Sequence, residues 1–288
     1  MPTIDPPTIQ AMLSRMREQL ARAGIDAAAL EARLLLGHVL DTDTVALIAH
    51  GDRKIASEEC RRALELTQRR AAGIPVAYLL GEREFWSMPL QINEHCLIPR
   101  PDTELLVSLA LERLPAENPC VLDLGTGSGA VILALKRERP DIDAWGSDLS
   151  GPALAVAARN ARALRLDVHW FQGRWLEPVR AAPTFDLIVS NPPYIDPGDP
   201  HLEQGDLRFE PRMALAAPNH GLADLEAIAA MAGQHLRPGG HLLLEHGFGQ
   251  AAAVRRMLDG WGFHEVCSHR DLAGHDRVTE AQSRDGST

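Results

Sequence analysis

The sequence predicts an α/β fold, in which helices alternate with the strands of a mostly parallel sheet and a small bundle of helices precedes them. Residues 8–72 place apolar side chains at helical spacing and contain no strand pattern. From Asp102 onward, short apolar runs alternate with helical segments, which is typical of a doubly wound sheet. The last two strand-like runs follow each other without a helix, so we expect them to pair antiparallel.

These patterns divide the chain into four predicted parts. Residues 1–82 are expected to form the helical domain, and residues 83–101, punctuated by proline and glycine, a linker with a short β-hairpin. Residues 102–281 are expected to form the α/β domain and residues 282–288 a disordered tail. Seven strands are predicted in the α/β domain, at 120–124, 143–148, 167–171, 185–190, 240–246, 262–268 and 276–281. Helices are predicted between and before them, at 103–114, 129–138, 152–164, 222–236 and 249–260.

Composition excludes several classes of protein. Apolar residues make up 45% and charged residues 24% of the chain, which are ordinary globular values. An apolar run long enough to cross a membrane is absent from the sequence, and the first ten residues lack a signal pattern, so we expect a cytoplasmic protein. The 4 cysteines and 12 histidines show no metal-binding spacing. We therefore expect no metal.

The charge balance argues against a nucleic-acid partner. The net charge is −10, and residues 85–288 carry 18 Lys and Arg against 27 Asp and Glu. Proteins that bind nucleic acid usually present a basic face. The notable arginine cluster consists of Arg61, Arg62, Arg69 and Arg70, and on a helix it is expected to form a solvated face.

A glycine-rich turn follows the first predicted strand of the α/β domain. The segment Val121–Gly129 reads VLDLGTGSG, so an apolar strand runs directly into a GxGxG turn. Glycines allow a sharp turn and close approach of a ligand to the backbone. Asp123 suits a cationic amino-acid ligand better than a pyrophosphate. Without that acid the turn would be weak evidence, since an ordinary strand–helix connection reads similarly. The predicted cofactor contacts here are Gly125, Thr126, Gly127, Ser128 and Gly129.

Two further positions extend this candidate cofactor site. Asp148 ends the next strand, where a carboxylate can accept hydrogen bonds from both ribose hydroxyls of a nucleoside. An N-cap for the following helix is the alternative role for this residue. Trp175 follows the third strand and is our candidate for contact with an adenine ring, although core packing is the common role of tryptophan.

The most specific segment is Asn191-Pro192-Pro193-Tyr194, directly after the strand at 185–190. Prolines lack N–H donors, so the segment offers mainly carbonyl oxygens and the Asn191 side-chain oxygen. An amide or aryl amine nitrogen is a poor nucleophile because its lone pair is delocalised. Two acceptors that grip its hydrogens would orient that lone pair toward a methyl donor such as S-adenosylmethionine, while Tyr194 packs on the planar group. Catalysis by orientation requires no metal.

The chain resembles the bacterial protein-(glutamine-N5) methyltransferases that modify peptide chain release factors. The glycine turn and NPPY are shared with other methyltransferases, including adenine methylases, whereas several further segments match this family in particular. Those segments are Pro75–Tyr78, Gly81–Trp86, Ile98–Glu104, Phe209–Arg212 with Ala214 and Leu215, and Leu244–Gly247. The likeness covers nearly the whole chain.

The resemblance implies a class I, Rossmann-like methyltransferase sheet and S-adenosylmethionine as methyl donor, with S-adenosylhomocysteine as product. It implies that Gly125–Gly129 hold the methionine part, Asp148 the ribose and Trp175 the adenine region. Asn191 would touch both cofactor and substrate, and Asn191–Tyr194 would hold the glutamine of a release factor's Gly-Gly-Gln loop, with Asn191, Pro192 and Tyr194 as catalytic residues. Release factors are then the expected partners of a monomeric enzyme acting in translation termination, without direct contact to nucleic acid or membrane.

Two departures and three alternatives accompany this interpretation. Arg174 and His220 stand where family members often carry aspartate. An adenine-N6 methyltransferase acting on DNA or RNA would use the same NPPY chemistry, but the acidic balance disfavours it. A non-catalytic scaffold leaves NPPY unexplained. A nicotinamide-linked oxidoreductase fits neither the acid before the glycine turn nor NPPY.

Overall fold

The computed structural model describes residues 6–182 and 184–284. The chain divides into two compact units, one ending at Gly81 and the other beginning at Glu82. Both predicted fold elements are present, namely a helical unit followed by an α/β unit with a seven-stranded sheet. The fold class predicted from the sequence is therefore confirmed.

The described residues of the first unit, 6–81, form five helices. They are α1 (Ile9–Arg22), α2 (Ala28–Leu40), α3 (Thr44–Ala49), α4 (Ser57–Ala71) and α5 (Val76–Leu80). Apolar side chains from all of them form one core, in which Met16, Leu20 and Leu35 are fully buried. Helices α1 to α4 lie within residues 8–72, where helical spacing was found, and α5 lies beyond them but still inside the predicted helical domain at 1–82.

Arg70 corrects the prediction that four arginines form a solvated face. Its residue is 6% exposed, and its Nε lies 2.6 Å from Oε2 of Glu31 on α2. Its guanidinium also donates to the carbonyl oxygens of Gly73 and Ile74, each at 3.2 Å. The arginine therefore joins two helices and the chain that leaves α4, because a buried guanidinium requires this many acceptors.

The second unit begins with a hairpin of β1 (Glu82–Phe85) and β2 (Met88–Gln91), paired antiparallel. The remaining strands are β3 (Cys120–Leu124), β4 (Asp143–Asp148), β5 (His169–Gln172), β6 (Phe185–Ser190), β7 (Leu236–Glu245), β8 (His264–Arg270) and β9 (Asp276–Gln282). The helices are α6 (Glu104–Arg113), α7 (Ala130–Glu138), α8 (Gly151–Leu164), the short turn α9 (Pro218–Gly221), α10 (Ala223–Ala232) and α11 (Ala251–Gly260).

The strand order in the main sheet is β5-β4-β3-β6-β7-β9-β8. Strands β3 to β7 pair parallel, and β9 pairs antiparallel with both β7 and β8, as the absence of a helix between the last two strands predicted. The order of the strands across the sheet changes direction between β3 and β6. From β3 the chain continues through β4 to β5 at one edge, and it then returns to β6 on the other side of β3. Ligands of open α/β sheets bind at such a switch point, beyond the carboxyl ends of the strands.

A hydrophobic core covers each face of the sheet, which explains why the central strands read as continuous apolar runs. The hairpin belongs to one of these cores, since Phe85, Met88 and Leu90 are buried among side chains of α6 and α7. Residues 83–101, predicted as a linker, are thus packed within the second unit.

The predicted disordered tail begins too early in the chain. Gln282 is the last residue of β9, and the Ser283 N–H donates to the Gly240 carbonyl at 2.8 Å. Residues 285–288 lie outside the described residues. Across the described ranges, every helix is too short or too polar to cross a bilayer.

Candidate active site

A cleft of about 330 Å³ opens at the carboxyl ends of β3, β4, β5 and β6. Its lining combines the glycine turn after β3, Asp148 at the end of β4, Trp175 after β5 and Asn191 after β6. Four segments that are far apart in sequence therefore meet at the switch point of the sheet. The volume is within the usual range for small-molecule sites.

The glycine turn is held in shape by hydrogen bonds from its own backbone. Gly125, Gly127 and Gly129 all have positive φ, at 69°, 57° and 85°, which side chains rarely tolerate. The Thr126 N–H donates to the Ser147 carbonyl at 2.8 Å, and the Gly127 N–H donates to Oδ2 of Asp148 at 2.9 Å. The turn is therefore fixed to the neighbouring strand β4.

Gly129 differs from the other predicted cofactor residues. Gly125, Thr126, Gly127 and Ser128 line the cleft, whereas Gly129 is not among its lining residues. A Cβ at Gly129 would lie 3.0 Å from Cδ1 of Leu133 and 3.3 Å from Cβ of Ala157. Its small size thus permits α7 to pack closely against α8, which is the third-glycine role in such turns.

Two acidic side chains, Asp123 and Asp148, line the cleft. Asp123 is 2% exposed, and burial raises its pKa to about 7, although a 2.6 Å hydrogen bond from the Thr126 hydroxyl opposes the rise. Burial also raises the pKa of Asp148, against hydrogen bonds from the N–H groups of Ser150 and Gly127. A cationic ligand placed here would favour the ionised forms of both acids.

Trp175 lies against the glycine turn. A Cβ on Gly125 would approach Cζ3 of Trp175 to 3.3 Å, so the indole covers the turn closely. Its Nε1 donates to Oδ1 of Asp224 on α10 at 3.3 Å, and the Arg174 guanidinium lies 3.6 Å from the same oxygen. Asp224 thus fixes the indole and pairs with the arginine that departs from the family pattern. In the sequence, Asp224 is distinguished only as an acid in the first turn of a helix.

The NPPY segment leaves β6 beside the cleft. The Ser190 hydroxyl donates to the Leu124 carbonyl at 2.7 Å, which ties the end of β6 to the end of β3. Asn191 Nδ2 donates to Oγ1 of Thr103 at 3.1 Å. Asn191 and Pro193 line the cleft, whereas the Pro192 side chain is buried. The Asn191 amide therefore has its nitrogen engaged and its oxygen available.

Tyr194 lies elsewhere than the sequence suggested. Its ring packs against the core under α10 and α11 and is not among the groups that line the cleft. Its hydroxyl donates to Oε1 of Glu245 at 3.3 Å, and burial raises its pKa. The prediction that Tyr194 packs on the substrate's planar group thus finds no support in this arrangement, because the ring serves the core instead.

The Tyr194 carbonyl is held by a hydrogen bond from Gln250 and lies close to Gly221. Nε2 of Gln250 donates to the Tyr194 carbonyl at 2.9 Å, and a Cβ on Gly221 would lie 1.9 Å from that same oxygen. Gly221 also has φ of +81°. Its neighbour His220, which departs from the family pattern, is exposed and contacts Asp196 at 3.0 Å, so that departure lies on the surface.

We expect Gly221→Ala to displace the NPPY segment. The free energy of unfolding should fall by about 1–3 kcal/mol, because the new methyl group is strained and meets a backbone oxygen. Urea unfolding measures the loss. Gly249→Ala is the matched control, since a Cβ there meets nothing within 4 Å. Equal stability of the two variants would contradict the close contact.

The loop at 98–104 supplies groups that sequence reasoning left without roles. Arg100 and Thr103 both line the cleft. Arg100 forms an ion pair with Glu210, whose other oxygen accepts from the Ile98 N–H at 3.0 Å. Glu210 belongs to the Phe209–Arg212 segment, so two of the segments in which the chain resembles the family are held together beside the cleft. Glu210 lies more than a hundred positions from Ile98 and Arg100 in the sequence, so a local sequence pattern could not predict these contacts.

A separate polar group lies on β8 and β9. Cys267, His269 and Glu280 bring three potential metal-ligand atoms within 4.8 Å of one another. Arg113 donates to Oε1 of Glu280 at 3.0 Å, so a cation already neutralises that carboxylate. The group is remote in the sheet from the cleft.

Two family profiles match the chain. The PrmC N-terminal domain matches residues 11–81, and the methyltransferase small domain matches residues 102–205. The release factor glutamine methyltransferase of Vibrio cholerae is 48% identical over 277 residues, which is 96% of each chain. The chain belongs to the release factor glutamine methyltransferase family. It is therefore a methyltransferase, as the resemblance predicted.

Two other members of the family are similar to this chain to the same degree and over most of its length. The release factor glutamine methyltransferase of Xylella fastidiosa is 47% identical over 275 residues, covering 95% of this chain and 97% of the relative. The release factor glutamine methyltransferase of Escherichia coli is 47% identical over 251 residues, covering 86% and 90%.

Solved structures agree on the fold of the α/β unit. A methyltransferase from Pyrococcus furiosus has a TM-score of 0.52 at 15% identity, covering 68% of this chain and 89% of that one. The 16S rRNA N2 G1207 methyltransferase of Thermus thermophilus, solved with AdoMet and guanosine, has a TM-score of 0.50 at 21% identity, covering 70% and 50%. These similarities establish the class I methyltransferase fold.

Proposed function

We propose that this methyltransferase transfers a methyl group from S-adenosylmethionine to the side-chain amide nitrogen of the glutamine in the Gly-Gly-Gln motif of peptide chain release factors. The observation that carries the proposal is the meeting of Asn191 with the glycine turn, Asp148 and Trp175 in one cleft. The acceptor-rich NPPY segment thus borders the place where a nucleoside ligand would bind. Family relatives that are named for glutamine methylation of release factors support the substrate.

The lining of the cleft supports S-adenosylmethionine as the ligand. Gly125 and Gly127, both with positive φ, line the cleft, and Trp175 offers an indole beside them. Burial raises the pKa values of Asp123 and Asp148 because it disfavours their charged forms. A cationic ligand beside them would stabilise those charged forms. Gly125–Ser128 would hold the methionine part, Asp148 the ribose and Trp175 the adenine region. When bound, the group supplies an electrophilic methyl on a sulfonium.

The chain's own residues would contribute orientation. Nδ2 of Asn191 is engaged by Thr103, so Oδ1 is free to accept one hydrogen of the glutamine amide. A carbonyl oxygen of the NPPY segment would accept the second hydrogen. With both hydrogens held, the nitrogen lone pair has one direction left, and such positioning is worth about 7–11 kcal/mol in favourable cases. The excess proton on the methylated nitrogen is lost to an acceptor after transfer.

Transfer of a labelled methyl group tests the substrate. The enzyme is incubated with labelled S-adenosylmethionine and a full-length release factor, with the same factor carrying Gly-Gly-Ala, or with an adenine-containing oligonucleotide. We expect label in the first and background in the other two. Label in the oligonucleotide above that in the release factor would favour an adenine-N6 methyltransferase instead.

A further inference from the structure

One buried carboxylate is linked to both ends of the NPPY segment, to one end directly and to the other through Thr103. Glu245 ends β7 and is 1% exposed. Its Oε1 accepts from the Tyr194 hydroxyl at 3.3 Å. The Thr103 side chain acts on the same carboxylate and lowers its pKa, while Oγ1 of Thr103 accepts from Asn191 at 3.1 Å. Glu245 therefore reaches Tyr194 directly and Asn191 through Thr103.

Hydrogen-bond polarity fixes the direction of this chain of contacts. With Glu245 ionised the carboxylate can only accept, so the Tyr194 hydroxyl proton points toward it, as does the Thr103 hydroxyl proton in the hydrogen bond that lowers the pKa of Glu245. Oγ1 of Thr103 is then left as an acceptor, and it takes a proton from Nδ2 of Asn191. A flipped Asn191 amide would set its oxygen against that acceptor.

A second observation concerns the other carboxylate oxygen of Glu245. Its Oε2 is buried and has no hydrogen-bond partner among the described residues. A buried oxygen without a partner is costly, so such groups in a native fold are usually explained by function or by strain. Here the oxygen belongs to the group that orders the substrate-facing segment.

We propose that Thr103 and Glu245 are positioning residues that hold the Asn191 amide with its oxygen toward the cleft, with Tyr194 anchoring the other end of NPPY on the same carboxylate. The inference rests on the proposed function, because only a substrate with two N–H hydrogens needs an acceptor at that place. Neither residue touches the reacting atoms, so both act through Asn191.

The orientation depends on the ionisation of Glu245. Burial raises its pKa to about 7, and the groups that face it are the Tyr194 hydroxyl, the Thr103 hydroxyl, Arg277, which lowers the pKa, and Asp102, which raises it. Above pH 7 the carboxylate is charged and accepts both hydroxyl protons. Below pH 7 it gains a proton that it can donate to Thr103, which removes the requirement on the Asn191 amide. Activity should therefore fall as pH falls through about 7.

Paired substitutions at Thr103 test the relay. Thr103→Val keeps the shape and removes the hydroxyl, and Thr103→Ser, the matched control, keeps the hydroxyl. We expect kcat on release factor to fall about tenfold or more in the valine variant, the effect of losing one hydrogen bond in a positioned network. The serine variant should stay within about threefold of wild type, and both should retain the affinity for S-adenosylhomocysteine. Equal kcat in the two variants would overturn the proposal.

Glu245→Gln tests the charge. The profile of kcat is measured with S-adenosylmethionine saturating, so that the bound cation keeps Asp123 ionised. The wild-type kcat should then decline below about pH 7, and the glutamine variant should lack that decline, because it has no carboxyl at position 245 to protonate. An unchanged acidic decline in the variant would overturn the role of Glu245.

The Asn191 side-chain amide gives a readout that needs no substrate. Its ¹⁵N–H₂ signal, assigned by its loss in Asn191→Asp, should be protected from hydrogen exchange in wild type and Thr103→Ser and exposed in Thr103→Val. Protection in this pattern together with no methylation of release factor would support the positioning role and refute the proposed substrate. Equal exchange in all three proteins would refute the positioning role, whatever the substrate.

Discussion

Asn191→Ala is expected to lower kcat for methyl transfer to release factor by roughly 10²- to 10³-fold, the loss seen when one preorganised hydrogen-bonding group is removed from a catalytic site. The variant loses the oxygen that would accept an amide hydrogen of the substrate, and the donor to Thr103 at 3.1 Å disappears with it. The nucleophile would then bind without a fixed lone-pair direction.

Binding measurements separate this effect from unfolding. Calorimetry with S-adenosylhomocysteine should show a change in Kd smaller than about tenfold, because most of the lining of the cleft is intact. Gln234→Ala removes an exposed side-chain amide and serves as the control, with activity near that of wild type. A kcat for Asn191→Ala equal to that of Gln234→Ala would remove Asn191 from the mechanism.

Asp148→Ala is expected to weaken S-adenosylhomocysteine binding by about 10²-fold. A carboxylate that accepts two ribose hydroxyls contributes roughly 1.5 kcal/mol or more for each hydrogen bond to the charged group, and 1.4 kcal/mol is a tenfold change in Kd. The side chain also holds the Gly127 N–H at 2.9 Å and the Ser150 N–H at 2.8 Å, so its loss loosens the glycine turn as well.

Asp167→Ala is the matched control, because it makes the same charge change at an exposed position. Titration calorimetry of both variants measures the difference. Equal Kd values would show that Asp148 only caps the turn and the following helix and takes no part in binding the nucleoside.

The fold was predictable because its elements are encoded locally. Strands β3, β4 and β6 have the predicted boundaries, β3 and β6 read as largely apolar runs, and the glycine turn follows β3 directly. Helix α5 was not located individually, because it is one short turn after Pro75, beyond the residues 8–72 that show helical spacing. The tail was placed too early since β9 gains its last residue by pairing with His241 and His264, which a local pattern does not reveal.

The candidate site was predictable only where one residue at a strand end carries the chemistry. Asp148, Trp175 and Asn191 follow strands and line the cleft. Thr103 and Glu245 were missed as members of the network, because the contacts that involve them join residues 88 and 51 positions apart. An acid at the end of an apolar strand, within the Leu244–Gly247 segment, was the available signal for Glu245.

Tyr194 and Gly129 show the limit of a motif. Both belong to motifs associated with binding, yet the tyrosine ring packs against the core and the glycine permits two helices to pack closely. Motif membership placed these residues beside the cleft, but a motif does not state which side chain faces the ligand. The packing of neighbouring elements around a motif decides which of its side chains faces the ligand.

Chemical analysis of the methylated product tests the central claim most directly. Release factor labelled by the enzyme from methyl-labelled S-adenosylmethionine is digested, and the Gly-Gly-Gln peptide is isolated and hydrolysed in acid. A methyl group on the glutamine amide nitrogen predicts release of labelled methylamine from that peptide. Labelled methanol, which a methylated carboxyl would give, or label confined to other peptides would contradict transfer to the glutamine amide.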